Sequence, residues 1–178
     1  MTLEDAEKYF MARIAELERI SGHGNPWVFL CGTALIEYLS KLAEGTNCGG
    51  GGFKRFVRTY MPAGYKTFQY KSGIQVLPEQ LYHVLRCGIV HSYSLIPDQQ
   101  AKDKGGRDRS IVLDHEAKHI SPFSSQNVKD ACCLNAWDFV RDIEGACRDL
   151  FAKAKTDTAL SANISGWLQS HPPIMSPI

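Results

Sequence analysis

Residues Asn25 to Gly45 read NPWVFLCGTALIEYLSKLAEG, and this stretch decides the fold class. Asn25 suits a helix cap, and Pro26 suits the first turn, where its missing N–H costs nothing. Gly45 supplies the stop. Between them Trp27, Leu30, Ala34, Leu35, Tyr38, Leu39 and Leu42 spread over much of the helix circumference. A helix apolar on so many sides belongs inside a bundle. Its longest apolar run, Trp27 to Ile36, falls short of the ~20 residues that cross a bilayer.

Other helices follow on both sides. Thr2 with Asp5 resembles a capping box and opens a helix that Ser21-Gly22 closes, with Phe10, Ile14 and Leu17 on its apolar face. The run Gly49 to Gly52 reads as a flexible linker. No Gly-Lys-Ser/Thr follows it and no strand precedes it, so it is not a phosphate loop. A short helix comes next, with Phe53, Phe56 and Tyr60 at helical spacing, ended by Pro62 and Gly64. Pro78 starts a fourth helix, with Leu81, Val84, Leu85 and Ile89 inward, that ends before Pro97. Residues 98–109 read as a polar loop. Ser110 to Leu113 and Lys118 to Ile120 are expected to pair as a small hairpin. Ser125 is expected to cap a long helix to about Lys155, with Trp137, Val140, Ile143, Cys147, Leu150 and Phe151 inward. A last helix spans about Thr158 to Gln169. The expectation is an all-α bundle of five or six helices with a short β-hairpin insertion. It forms a single domain over residues 1–170, followed by a loose tail at 171–178.

Composition agrees. The chain has 178 residues, 44% of them hydrophobic and 22% charged, as in ordinary globular proteins. The net charge of +1 gives no whole-molecule pull toward nucleic acid or anionic lipid, so any such pull must be local. The acidic start, MTLEDAEKYF, has no signal core, and the six cysteines include no Cys-x-x-Cys pair. A cytoplasmic protein with reduced thiols, not held to a membrane, is the simplest reading.

The most specific local string is Arg86-Cys87-Gly88-Ile89-Val90-His91-Ser92-Tyr93. It resembles the signature of the HEPN superfamily, an Arg followed after four to six residues by His on a core helix of a small helical bundle. With Tyr93 it is similar to the Arg-x4-His-x-Tyr form of HEPN toxins paired with nucleotidyltransferase antitoxins. The resemblance implies a HEPN-like bundle and a metal-independent endoribonuclease that acts on RNA in toxin–antitoxin or phage-defence systems. It also implies a homodimer and a possible antitoxin or defence partner protein. It needs no cofactor and no metal. The family usually places Asn, Asp or His directly after the Arg. Here that residue is Cys87, which leaves open a HEPN-like module that binds RNA, nucleotide or a protein without cleaving.

The residue chemistry points the same way. RNA carries its own nucleophile, the 2′-OH. His91 suits proton transfer near neutral pH. Arg86 offers a fixed fork of donors to phosphate oxygens. Tyr93 suits stacking on a base or donation to a phosphate. Arg86 and His91 lie about 140° apart around a helix, which favours a cleft or a two-fold seam, with Gly88 allowing close approach of a partner helix. His83, one turn before Arg86, is a possible further member.

Two further signals compete for attention. Between Gly45 and Pro78 there is no acid, whereas Lys54, Arg55, Arg58, Lys66 and Lys71 give a local charge of +5. Lys54, Arg55 and Arg58 are therefore candidate phosphate contacts. The interleaved Phe53, Phe56 and Tyr60 fit a helix core better than a stacking platform. Separately, His115-Glu116-Ala117-Lys118-His119 satisfies the His-Glu-x-x-His zinc pattern. Its neighbours Asp114, Lys118 and Pro122 suit a polar turn better than a zinc-hydrolase helix.

Overall fold

The computed structural model describes residues 1–22, 26–73, 76–92, 95–96 and 99–173. The fold is mostly helical with a small three-stranded sheet. Among the described residues no helix is long and apolar enough to cross a membrane.

Helix α1 (Leu3–Ser21) begins at the expected capping box: Thr2 Oγ1 accepts from the Asp5 N–H at 3.1 Å, and the Asp5 carboxylate accepts from the Thr2 N–H at 3.3 Å. Helix α8 (Ala136–Ala154) runs against α1, with Phe10 and Phe151 stacked at 6.1 Å, and also packs against α2 (Pro26–Glu44) and α9 (Thr158–Ser170). The buried side of α2 includes Leu39 and Leu42, as expected, but is otherwise turned from the one the apolar pattern implies. Val28, Phe29, Gly32, Thr33, Ile36 and Leu39 face inward, whereas Trp27 is 49% exposed. Gly32 sets this rotation. A Cβ there would stand 2.7 Å from Phe139 and 3.0 Å from Ile143, so α2 and α8 touch where α2 has no side chain.

The run Gly49 to Gly52 is not a linker but the first turn of α3 (Gly49–Tyr60). A Cβ on Gly50 would meet the Tyr82 ring at 2.4 Å, and one on Gly52 would meet Cys48 Sγ at 2.0 Å. Glycine is required here for contact, not for flexibility. Phe53 and Phe56 lie in the core, as their spacing implies, and Tyr65 and Tyr70 join them. A single turn, α4 (Gly64–Thr67), follows.

The fourth helix is continuous but not uniform. It runs through α5 (Leu77–Gln80), a π-helical segment (Leu81–Arg86) and α6 (Cys87–Ser92). The Cys87 N–H donates to the Tyr82 carbonyl five residues back, the bond that defines the wider turn. Leu81, Val84, Leu85 and Ile89 are buried as their spacing implies. Within the expected polar loop a short helix forms, α7 (Gln99–Asp103).

The expected hairpin is not formed. Strands β1 (Ile111–Leu113) and β2 (Ser121–Phe123) do not pair with each other, because β3 (Ala131–Leu134) lies between them. β1 is parallel to β3, with Val112 opposite Cys133. β2 is antiparallel to it, with Pro122 opposite Cys132. The long helix therefore starts at Ala136 and not near Ser125. Its cap is Asn135, whose Oδ1 accepts from the N–H groups of Trp137 and Asp138. All four β3 residues are buried, so the strand reads as continuous apolar sequence that a helix pattern can absorb. Trp137, expected inside, is 44% exposed.

Candidate functional site

Arg86 ends the π-helical segment on a half-buried wall. Its Nε and Nη2 both donate to Glu37 Oε2, at 2.7 and 2.6 Å, and Lys41 reaches Glu37 Oε1 at 3.0 Å. Burial pushes the Glu37 carboxyl up, but the hydrogen bond from Lys41 and the charge of Arg86 outweigh it and hold it below the ordinary carboxylate range. The guanidinium thus has a fixed orientation, with Tyr82 stacked beneath it at 5.9 Å.

Next to Arg86 is a cleft of about 170 Å³ lined by Tyr82, His83, Arg86, Cys87, Gln100, Ala101 and Lys104. One wall is the π-helical segment and the other is α7 with the chain after it. Buried Gln80 ties the walls together: its Nε2 donates to the Gly105 carbonyl at 2.8 Å, and its Oε1 accepts from the Arg107 N–H and from Ser110 Oγ. Gly106 lets the two walls approach, since a Cβ there would lie 2.9 Å from the Ala101 carbonyl oxygen and 3.0 Å from His83 Cβ.

His83 shares this cleft, and its side chain is only 6% exposed. Its Nε2 lies 3.6 Å from Glu79 Oε2. Burial pushes the imidazole pKa down, Lys54 and Lys104 push it further, and the pull of Glu79 does not compensate. His83 is therefore the neutral imidazole of the cleft at neutral pH.

The candidate phosphate contacts of α3 each have an acidic partner. Lys54 Nζ donates to Glu79 at 2.7 Å, Arg58 reaches the other oxygen of Glu79 at 3.2 Å, and Arg55 donates to Glu44 at 2.8 Å. The acid-free stretch of sequence is thus met by acids from elsewhere in the fold. Cys87, beside Arg86, lines the cleft. His91 lies on α6, but its side chain, like the whole of Tyr93, is outside the described residues. Gly88 is buried within the chain itself, so the seam expected beside it is not available at that residue.

The zinc pattern does not survive. His115 to His119 form a turn between β1 and β2, not a helix, with Asp114 Oδ1 accepting from the N–H groups of Glu116 and Ala117. Both ring nitrogens of His119 are engaged. Nδ1 accepts from the Asn135 N–H at 3.0 Å, and Nε2 lies 3.0 Å from the Tyr65 hydroxyl and 3.1 Å from Asp142. An imidazole whose Nδ1 accepts a backbone N–H carries its hydrogen on Nε2, so neither nitrogen is open to a metal. His119 is a half-buried clasp that pins the turn to the start of α8. Among the described residues no group of three His, Cys, Asp or Glu side chains is placed to hold a metal ion.

Sequence reasoning did not assign Glu37, Glu79, Gln100 or Lys104 to the site. Gln100 and Lys104 fall in a stretch that reads as loop, and the two glutamates carry no local signal. Comparison of the chain with protein-family models, curated proteins and solved structures finds no match.

Proposed function

We propose that the protein is a HEPN-like, metal-independent endoribonuclease that acts on cytoplasmic RNA as part of a toxin–antitoxin or phage-defence system. The observation that carries this reading is the cleft beside Arg86. A guanidinium held in one orientation by Glu37 lines a small cleft together with Lys104 and an imidazole. Preorganised cations of this kind bind phosphate and stabilise the charge that develops on a phosphorane. Arg86 binds the scissile phosphate, and the resemblance gives His91 proton transfer and Tyr93 a base or phosphate contact. Lys54, Arg55 and Arg58 serve as phosphate contacts, exchanging Glu79 and Glu44 for the RNA backbone. A homodimer belongs to the same reading, with its seam elsewhere than at Gly88.

A non-cleaving RNA-binding module is the second reading, and a specific observation favours it. Glu37 occupies the Nε–Nη2 edge of Arg86, the edge best shaped for two phosphate oxygens. One assay separates the two. The full chain is incubated with single-stranded RNA in EDTA, and products ending in 2′,3′-cyclic phosphate are sought. Cleavage that is lost in both Arg86→Ala and His91→Ala supports the nuclease. Binding that weakens in Arg86→Ala without any cleavage selects the module. RNA that neither binds nor breaks refutes both.

A further inference from the structure

We infer that His83 is the general base of the Arg86 cleft, taking the proton from the RNA 2′-OH. The inference rests on the endoribonuclease reading and adds to it a catalytic residue that the signature does not contain. His83 and Arg86 line one cleft, three residues apart on the π-helical segment. Glu79 stands behind the ring at 3.6 Å, too far for a hydrogen bond but near enough to favour the tautomer with hydrogen on Nε2. The lone pair then sits on Nδ1. Gly106 packs closely against the Cβ of His83, and Gln80 holds its neighbours Gly105 and Arg107 in place.

The charged groups facing the ring come from three places: Glu79 on its own helix, Lys54 from α3, and Lys104 from the chain after α7, with Arg86 one turn on. Burial first, and then the two lysines, oppose protonation, which keeps the imidazole ready to accept a proton at neutral pH. The cleft is smaller than the ~300–1,000 Å³ of typical small-molecule sites. It therefore takes a phosphate and its adjoining sugar, the part of RNA where the reaction occurs, and leaves the base outside.

The step balances. The 2′-oxygen attacks phosphorus while its proton passes to His83. The P–O5′ bond breaks, and the 5′-oxygen takes a proton from an acid, the role that the endoribonuclease reading leaves to His91. The products are a 2′,3′-cyclic phosphate and a 5′-hydroxyl, and one proton then passes through water from His83 to the acid, which restores both.

The test is the pH profile of kcat/KM for RNA cleavage in EDTA, measured on wild type, His83→Asn and Lys104→Gln, with a thermal melt of each. Wild type should show an acid limb set by a group below the ordinary ~6.5 of histidine. His83→Asn should lose ~100-fold or more in kcat/KM and lose that limb. Lys104→Gln removes a charge that opposes protonation, so its limb should move to higher pH. This surface change reads the same group without disturbing the core, should His83→Asn fail to fold. A limb that persists in His83→Asn, or stays in place in Lys104→Gln, overturns the assignment while leaving the nuclease standing. A wild type that binds RNA but does not cleave it fails at the earlier step and removes the nuclease and the base together.

Discussion

Two neighbouring glycines should respond to the same substitution with opposite signs. Gly50 and Gly51 both lie in the first turn of α3. Replacing a helical glycine by alanine normally stabilises by ~0.5–1 kcal/mol, because the chain has less freedom to lose. At Gly51 the nearest obstacle to a Cβ is Arg55 Nη1 at 3.5 Å, an ordinary contact, so Gly51→Ala should gain that amount. At Gly50 the new methyl would stand 2.4, 2.6 and 2.9 Å from three atoms of the Tyr82 ring. That ring cannot simply swing away, since it packs against Phe53 at 5.4 Å and edge-on against His83 at 5.1 Å. Overpacking of this kind costs ~1–3 kcal/mol. The helix gain is common to both variants, so the difference between them isolates the packing cost. For a chain of this size each kcal/mol moves Tm by about 2–4 °C, which puts the two variants roughly 2–12 °C apart. Melts followed by circular dichroism measure it directly. Tyr82 is also a wall of the Arg86 cleft, so Gly50→Ala should weaken RNA binding and Gly51→Ala should not. If Gly50→Ala melts at or above Gly51→Ala, the packed glycine turn is wrong and the run is a linker.

Burial pushes the Glu79 carboxyl up, but its bonds to Lys54 and Arg58 outweigh this and hold it below its ordinary 4.5. Stability from this group is present above about 4.5 and lost as pH falls through the lower folded value, so Glu79→Gln should flatten the acid loss of stability in urea titrations run from pH 5 down to about 2. An acid limb of stability identical to wild type would refute this. Asn135→Ala removes a helix cap and the bond from its Nδ2 to the His115 carbonyl at 2.7 Å, and should cost ~1–2 kcal/mol by denaturant titration. Replacing Lys54, Arg55 and Arg58 together by alanine should weaken RNA binding and lower its salt slope. A slope equal to wild type would assign all three to their ion pairs alone.

How far the sequence carried the fold can be judged element by element. Helix α1 was legible because its cap and its stop are local: Thr2 and Asp5 are three residues apart, and each satisfies an N–H of the other end of the same turn. The core face of the fourth helix was legible for the same reason. The start of α8 was not, because Ser125 and Asn135 are both plausible caps, and only the sheet decides between them. Once Ala131–Leu134 is wedged between β1 and β2, Asn135 is the first residue free to begin a helix. The glycine turn of α3 was missed for a related reason. Low helix propensity is a property of the residue, whereas the need for a missing side chain belongs to the Tyr82 ring, brought there by the fold. The π-helical segment left no mark either, since one widened turn barely disturbs an apolar period.

The site shows the same division more sharply. The pattern of residues correctly set Arg86 and His83 on one helix, and set Lys54, Arg55 and Arg58 on another without acids beside them. What it could not give is which carboxylates would meet those cations. Glu37 comes to Arg86 from 49 residues away, and Glu79 comes to Lys54 from 25. A local charge of +5 in the sequence therefore does not become an equal potential on the surface, because Glu44 and Glu79 lie against it at hydrogen-bond distance. Pairing of this kind also tunes the cleft. Glu37 fixes the direction of Arg86, and Glu79, itself held by Lys54 and Arg58, stands 3.6 Å from His83 Nε2. The cleft thus holds a guanidinium already oriented by its carboxylate and an imidazole whose burial holds its pKa down.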